Sequence, residues 1–311
     1  MIELLSFGFP VSIVMYVLSI LIGVGIASIT LGAIGFSLMI ALSYMGVIRI
    51  LPLAERLQAI LYSVWPKTKE MKQIIQDAYT VKGSAAPNPA IYLFHPHGSF
   101  STSFFFHQMA RLTNWPKEAY ARCTVTHHFY WIPFGEELLE AFHAVPNRYR
   151  DMKAVLERGE NLAVIPGGVK EMNYVKDHTI TVHLSSRKGI FRIALETGTP
   201  LVPVITYGEN ELYRPTTFGP VRWLNTLLED WIGMQLCIPS WRSIQTWMRM
   251  ISEGGTVRKV ETVIGPALEV KKCKDPSLKQ IEMLKEDYIL ALRNLYAKTK
   301  PEEYASELEV L

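Results

Sequence analysis

From residue 4 to residue 48 the chain runs for 45 residues without an Asp, Glu, Lys or Arg. A single charge at the centre of a bilayer costs roughly 2.5 kcal/mol or more, so a run this long and this free of charge has the composition of a segment immersed in lipid. One crossing takes about 20 residues, and Ser28, Thr30, Gly32 and Gly35 interrupt the run near its middle. The pattern predicts two short transmembrane helices joined by a tight turn, a hairpin occupying residues 1–50. Such a hairpin returns the chain to its starting side, where Arg49 and Arg56 follow, as positive residues do on the cytoplasmic face of a membrane. A cleaved signal peptide is the competing reading. Against it, Met1, Ile2 and Glu3 provide no basic leader, and the apolar run is far longer than a signal requires.

The remaining length is enough for one substantial core. Residues 51–90 read as an amphipathic linker, rich in small residues and proline from 83 to 89, and residues 91–311 as one domain. The 32 basic and 29 acidic residues leave a net charge of +3, too close to balance for a nucleic-acid footprint. Cys123, Cys237 and Cys273 are widely spaced and form no CxxC pair, so the domain reads as cytosol-facing and reduced. From residue 91 onward, apolar runs of strand length alternate with helical periodicity. Strands are expected at 91–94, 122–126, 161–165, 201–207 and 260–264. Helices are expected at 100–112, at 151–158 closed by Gly159, around Ile190 to Leu195 capped by Gly198, and at 277–298 with Ile281, Leu284, Tyr288, Leu292 and Leu295 facing inward. Alternation of this kind implies an α/β fold, a sheet flanked by helices.

Three segments carry chemistry. His95, Pro96, His97 and Gly98 follow the first strand directly, at the carboxyl end where open α/β sheets bind ligands. Histidine is the side chain suited to proton transfer near neutrality, and His97, beside the flexible Gly98, is the candidate base; a His that only hydrogen-bonds the loop is the plainer alternative. At the end of the 161–165 strand, Pro166, Gly167 and Gly168 make a turn whose backbone amides can approach an oxyanion. Glu171 is the candidate to orient His97 and stabilise its imidazolium, as a carboxylate does in hydrolytic triads. Such a turn is often only a turn. Arg187, Lys188 and Gly189, with Arg192 one turn later, set cations at a helix start that already favours anions, which suits a phosphorylated co-substrate; a solvated basic face is the alternative.

Taken together, residues 95–98, 166–171, the run RKGIFRIALETGTPLVPVITYGENELY from Arg187 to Tyr213, and residues 264–268 closely resemble the type 2 diacylglycerol acyltransferase family, which includes monoacylglycerol acyltransferases and some wax-ester synthases. The resemblance covers most of the chain and implies a glycerolipid-acyltransferase-like mixed sheet and an integral membrane enzyme of the endoplasmic reticulum and lipid droplet; the hairpin and the arginines after it place the catalytic domain on the cytosolic side. It implies acyl-CoA as co-substrate with no bound cofactor, and diacylglycerol or a similar lipid alcohol as acceptor. His95 to Gly98 would belong to the active site, Glu171 matches the acid after the family's Gly-Gly, and Arg187 and Gly189 match its R-x-G-F motif, with Ile190 where phenylalanine is usual. Related glycerolipid acyltransferases carry H-x4-D, but here Thr102 stands in the acid's place. Either Glu171 supplies the carboxylate from another strand or His97 works without one. Lys285 stands where the family tends to carry a His, ahead of Tyr288.

A lipid acceptor needs a dry route to the site. Phe100 with residues 104–107 is one possible wall, and residues 221–251 another, since that stretch holds Trp223, Trp231, Trp241 and Trp247 of the chain's seven tryptophans. Tryptophan favours membrane interfaces, although aromatics also pack cores. His95, His97, His127 and His128 invite a metal reading, but no acidic or cysteine ligands accompany them at zinc spacing, so no metal is expected. A G-x-S-x-G nucleophile elbow is absent, which argues against a covalent serine. A non-enzymatic lipid-droplet scaffold using the hairpin alone is the rival reading, and a homo-oligomer is among the assembly states considered.

Overall fold

A computed structural model describes residues 79–311 apart from 100, 102, 105–106, 108–114, 132–138, 140–142, 217, 233–234 and 246–258. The expected hairpin lies outside the described residues, as does most of the helix expected at 100–112. Among the described residues no helix is long and apolar enough to cross a membrane.

The strands are β1 (Tyr79–Lys82), β2 (Ile91–His95), β3 (Arg122–Val125), β4 (Val145–Pro146), β5 (Leu162–Val164), β6 (Thr181–Val182), β7 (Leu201–Tyr207), β8 (Val260–Ile264) and β9 (Glu309–Val310). Seven of them form one mixed sheet in the order β1-β8-β7-β2-β5-β3-β4, and β6 pairs with β9. Within the large sheet β7 and β8 run antiparallel, while the neighbours on either side of that pair run parallel. The expected α/β sheet is therefore present. It begins earlier than residue 91, because β1 lies inside the stretch read as a linker and pairs with β8 from Tyr79 to Lys82.

β2 sits at the centre, buried along its whole length, and its alternating side chains feed two cores. Ile91 and Leu93 join a large cluster with Phe191, Tyr288 and Leu292, while Tyr92 and Phe94 join a smaller one with Phe104 and Trp115. A strand covered on both faces has to be apolar throughout, which is why Ile-Tyr-Leu-Phe shows no polar alternation. The helices over the large core are α1 (Tyr149–Glu157), α2 (Gly189–Thr197) and α5 (Leu278–Thr299), with α3 (Glu209–Leu212) and α4 (Gly219–Ile232) between α2 and α5 in the chain. α2 buries Ile190, Phe191, Ile193, Ala194 and Leu195 and ends at Gly198, whose φ of 71° is the left-handed cap that glycine favours. α5 opens on a capping box between Ser277 and Gln280 and buries the five inward residues expected of it.

Asn161 aligns the strand starts. Its Oδ1 accepts from the Ala90 amide at 2.8 Å, and its Nδ2 donates to the Glu118 and Tyr120 carbonyls at 3.0 and 3.1 Å. One side chain thereby links the approaches to β2, β3 and β5.

Candidate active site

The strand register places three chain segments side by side. His95 lies opposite Ile205 of β7, and Leu93 opposite Val164 of β5. The carboxyl ends of β5, β2 and β7 therefore deliver the Pro166 turn, the His-Pro-His-Gly loop and the start of α3 to one edge of the sheet.

His95 is buried, 1% exposed, with its Nε2 2.8 Å from the Tyr288 hydroxyl of α5; its Nδ1 meets no partner among the described residues. Burial pushes this imidazole down to about 3, so it is neutral at physiological pH. His97 is partly buried, and its Nδ1 lies 2.9 Å from the Gly98 carbonyl. A carbonyl only accepts, so Nδ1 carries the proton and Nε2 of the neutral ring presents its lone pair. Burial also lowers this pKa, with the Gly98 bond opposing, and the ring keeps the form a general base requires. Gly98 has a φ of 57°, a backbone conformation that favours glycine.

Glu171 departs from the expected geometry. Its carboxylate does not orient the imidazole; Oε2 accepts from the His97 backbone amide at 2.5 Å and Oε1 from the His183 amide at 2.8 Å. The side chain is 2% exposed, and burial pushes it up to about 7 against those two amide bonds and the nearby Arg187 guanidinium. A buried carboxylate that unites residues 74 and 12 positions distant in sequence acts on the loop, and the loop's own carbonyl orients the ring. Gly167 makes room for it, since a Cβ there would fall 1.6 Å from Glu171 Oε1. Gly167→Ala is accordingly expected to destabilise the fold by about 1–3 kcal/mol, the range for overpacking, seen as a lowered melting temperature; an unchanged melting curve would remove Glu171 from this contact.

The four residues expected to bind a phosphorylated group diverge. Arg187 turns inward, Nη2 donating to the Gly167 carbonyl at 2.6 Å, and braces the glycine turn. Lys188 pairs with Glu282 at 3.1 Å, and Arg192 with Glu196 at 2.9 Å. Gly189 has open space around the position of a Cβ. Lys285 donates to the Ser185 carbonyl at 3.0 Å and pairs with Glu282 at 2.5 Å, which ties α5 to the start of α2.

Of the proposed lipid-route residues, Phe104 and His107 are core: Phe104 packs edge-on to Phe94, and the two ring nitrogens of His107 lie 2.6 and 3.0 Å from the Phe104 and Ala121 carbonyls. Phe100 and Trp247, with the side chain of Trp231, lie outside the described residues. The His127 and His128 rings lie tilted against each other, 4.0 Å between centroids, and no group of three or more metal-ligating side chains gathers among the described residues. Sequence reasoning assigned no role to Tyr288 or to Glu209, whose Oε1 accepts from the Ser103 amide at 2.5 Å. Tyr288 was legible only as a core position of an amphipathic helix, and Glu209 only as part of the YGEN run.

The diacylglycerol acyltransferase family model matches residues 81–310. The chain belongs to that family. Diacylglycerol O-acyltransferase 2-like protein 6 of Mus musculus is 27% identical over 80% of this chain and 80% of its own length. The 2-acylglycerol O-acyltransferase 1 of Homo sapiens is 29% identical over 71% of this chain and 68% of its own. Among solved structures, the 1-acyl-sn-glycerophosphate acyltransferase PlsC of Thermotoga maritima aligns with 81% of this chain and 97% of that one, at 15% identity and a TM-score of 0.41. This member of the family is an acyl-CoA-dependent acyltransferase of neutral-lipid synthesis, and the three segments at the sheet edge are its candidate active site.

Proposed function

We propose that this acyltransferase moves a fatty acyl group from acyl-CoA to the hydroxyl of diacylglycerol, producing triacylglycerol, with His97 as general base. The observation that carries the proposal is the His97 imidazole held neutral, Nδ1 on the Gly98 carbonyl, with its backbone pinned by Glu171. Nε2 takes the hydroxyl proton as the acceptor oxygen attacks the thioester carbonyl. Amides of Gly167 and Gly168, in the turn braced by Arg187, stabilise the tetrahedral oxyanion. Its collapse re-forms the carbonyl and expels the CoA thiolate, which takes the proton from the imidazolium. No acyl-enzyme and no resident cofactor enter the scheme. Lys188, Gly189 and Arg192, at the outer start of α2, are the proposed contacts for the phosphates of CoA, each cation exchanging its glutamate for phosphate.

The proposed setting is the endoplasmic reticulum membrane and the lipid droplet, with the domain facing the cytosol where acyl-CoA is dissolved. The charge-free run and the arginines after it support that placement. Expression in cells that lack neutral lipid tests the reaction: triacylglycerol is expected to accumulate. Diacylglycerol or wax ester as the main product would reassign the acceptor to monoacylglycerol or fatty alcohol, and the absence of any new ester would overturn the proposal.

A further inference from the structure

α4 and the strand-like stretch after it display apolar side chains that no core absorbs. Trp223 is 66% exposed and Trp241 68%, and Phe218, Leu227 and Ile238 are exposed with them. Trp223 and Leu227 are one helical turn apart, on one side of α4, while Asn225 turns inward, accepting from the Leu236 amide at 2.7 Å and donating to the Leu236 carbonyl at 3.3 Å. Two further bonds, from the Thr216 amide to the Ile238 carbonyl and from the Ser240 amide to the Arg214 carbonyl, both 2.8 Å, lay residues 236–241 against the lead-in to α4. The aromatics are thus fixed on a hydrogen-bonded scaffold. That scaffold touches the active site, since Cys237 Sγ donates to the Ser99 carbonyl at 3.1 Å, one residue beyond the His-Pro-His-Gly loop.

We infer that this face is a docking surface for a phospholipid bilayer, seating the mouth of the site on the leaflet that holds the acceptor. The inference rests on the proposed reaction for the acceptor and on two observations for the bilayer. Trp223 and Trp241 each have an exposed arginine beside them in the chain, Arg222 and Arg242, the latter also paired with Asp177 at 3.1 Å, an arrangement that matches the headgroup layer: indole at the apolar boundary, guanidinium at phosphate depth. The same chain also carries the 45-residue charge-free run, whose composition suits immersion in lipid. A core-like protein partner would instead favour an apolar centre depleted of charge.

The full chain reconstituted into vesicles of phosphatidylcholine and phosphatidylserine provides the test, with brominated acyl chains as the quencher. Bromolipid is expected to quench part of the tryptophan emission, and W223F with W241F, which keeps the surface apolar, to lose most of that quenchable part. In a second arm, W223E with W241E is expected to raise the apparent KM for diacylglycerol presented in vesicles roughly tenfold, leaving kcat for a soluble short-chain acceptor unchanged. Emission from the pair that bromolipid does not reach would overturn the inference, whether the cover is a partner protein, a second copy or residues 1–78; so would equal losses on both acceptors. Quenching without acyl transfer to any acceptor in the unaltered protein would sink the proposed reaction and leave the docking surface standing.

Discussion

Replacing His97 with alanine is expected to lower kcat roughly 10²- to 10⁴-fold, the range a positioned base contributes, with little change in melting temperature. The two readouts separate because of how the residue is held. Glu171 grips the backbone amide of His97, so truncating the side chain removes the imidazole and leaves the grip intact. The ring's own bond, from Nδ1 to the Gly98 carbonyl, is local, so little else is left unpaired by its loss. Acyl-CoA binding should also survive. Transfer to a lipid hydroxyl at the unaltered rate would remove His97 from the chemistry and turn attention to His95, whose buried ring has no solvent-facing edge.

The second large effect is tied to pH. Burial pushes Glu171 up to about 7, so near neutrality a pH change alters the charge of the group that holds the base. Only the ionised carboxylate offers acceptor lone pairs freely to both the His97 and His183 amides. Activity is therefore expected to climb as pH rises through about 7, with a separate limb at lower pH where His97 loses its proton, since burial moves that pKa down. Glu171→Gln should abolish the upper limb and leave a low rate that no longer depends on pH near 7, because the amide NH2 faces one of the two backbone N–H groups in place of an acceptor. The stability sign follows from the same shift. With its folded pKa raised above the ordinary value of 4.5, Glu171 contributes stability that is fully present below that value and is lost as pH rises through about 7. Glu171→Gln should flatten the pH dependence of the melting temperature across that window. An upper limb that persists in the glutamine variant would mean another group titrates there.

The strands were legible where burial on both faces leaves a continuous apolar run, as in β2 and most of β7, and α2 and α5 were legible from periodicity and caps. β4, β6 and β9 are two residues long, shorter than any period can mark, and β1 pairs with a strand almost two hundred residues later. The site was legible to the level of which segments converge, because glycines and histidines at strand ends are local features. The partner of each polar group was not. Glu171 bonds main-chain amides, which every residue other than proline possesses, so no pairing of side-chain types announces the contact. Arg187 faces a carbonyl for the same reason. The exposed tryptophans resisted a choice between core and interface because composition records aromatic content and not the direction in which it points.

Asn161 lies at the far end of the sheet from the histidines, yet it governs whether they arrive. In a sheet with side chains alternating between two faces, a slip of one residue between β2 and β5 would exchange the contents of the two cores and turn His95 away from Tyr288. By bonding the approaches to three strands at once, Asn161 favours one alignment of the sheet over its slipped neighbours, so the catalytic edge inherits its geometry from the opposite end.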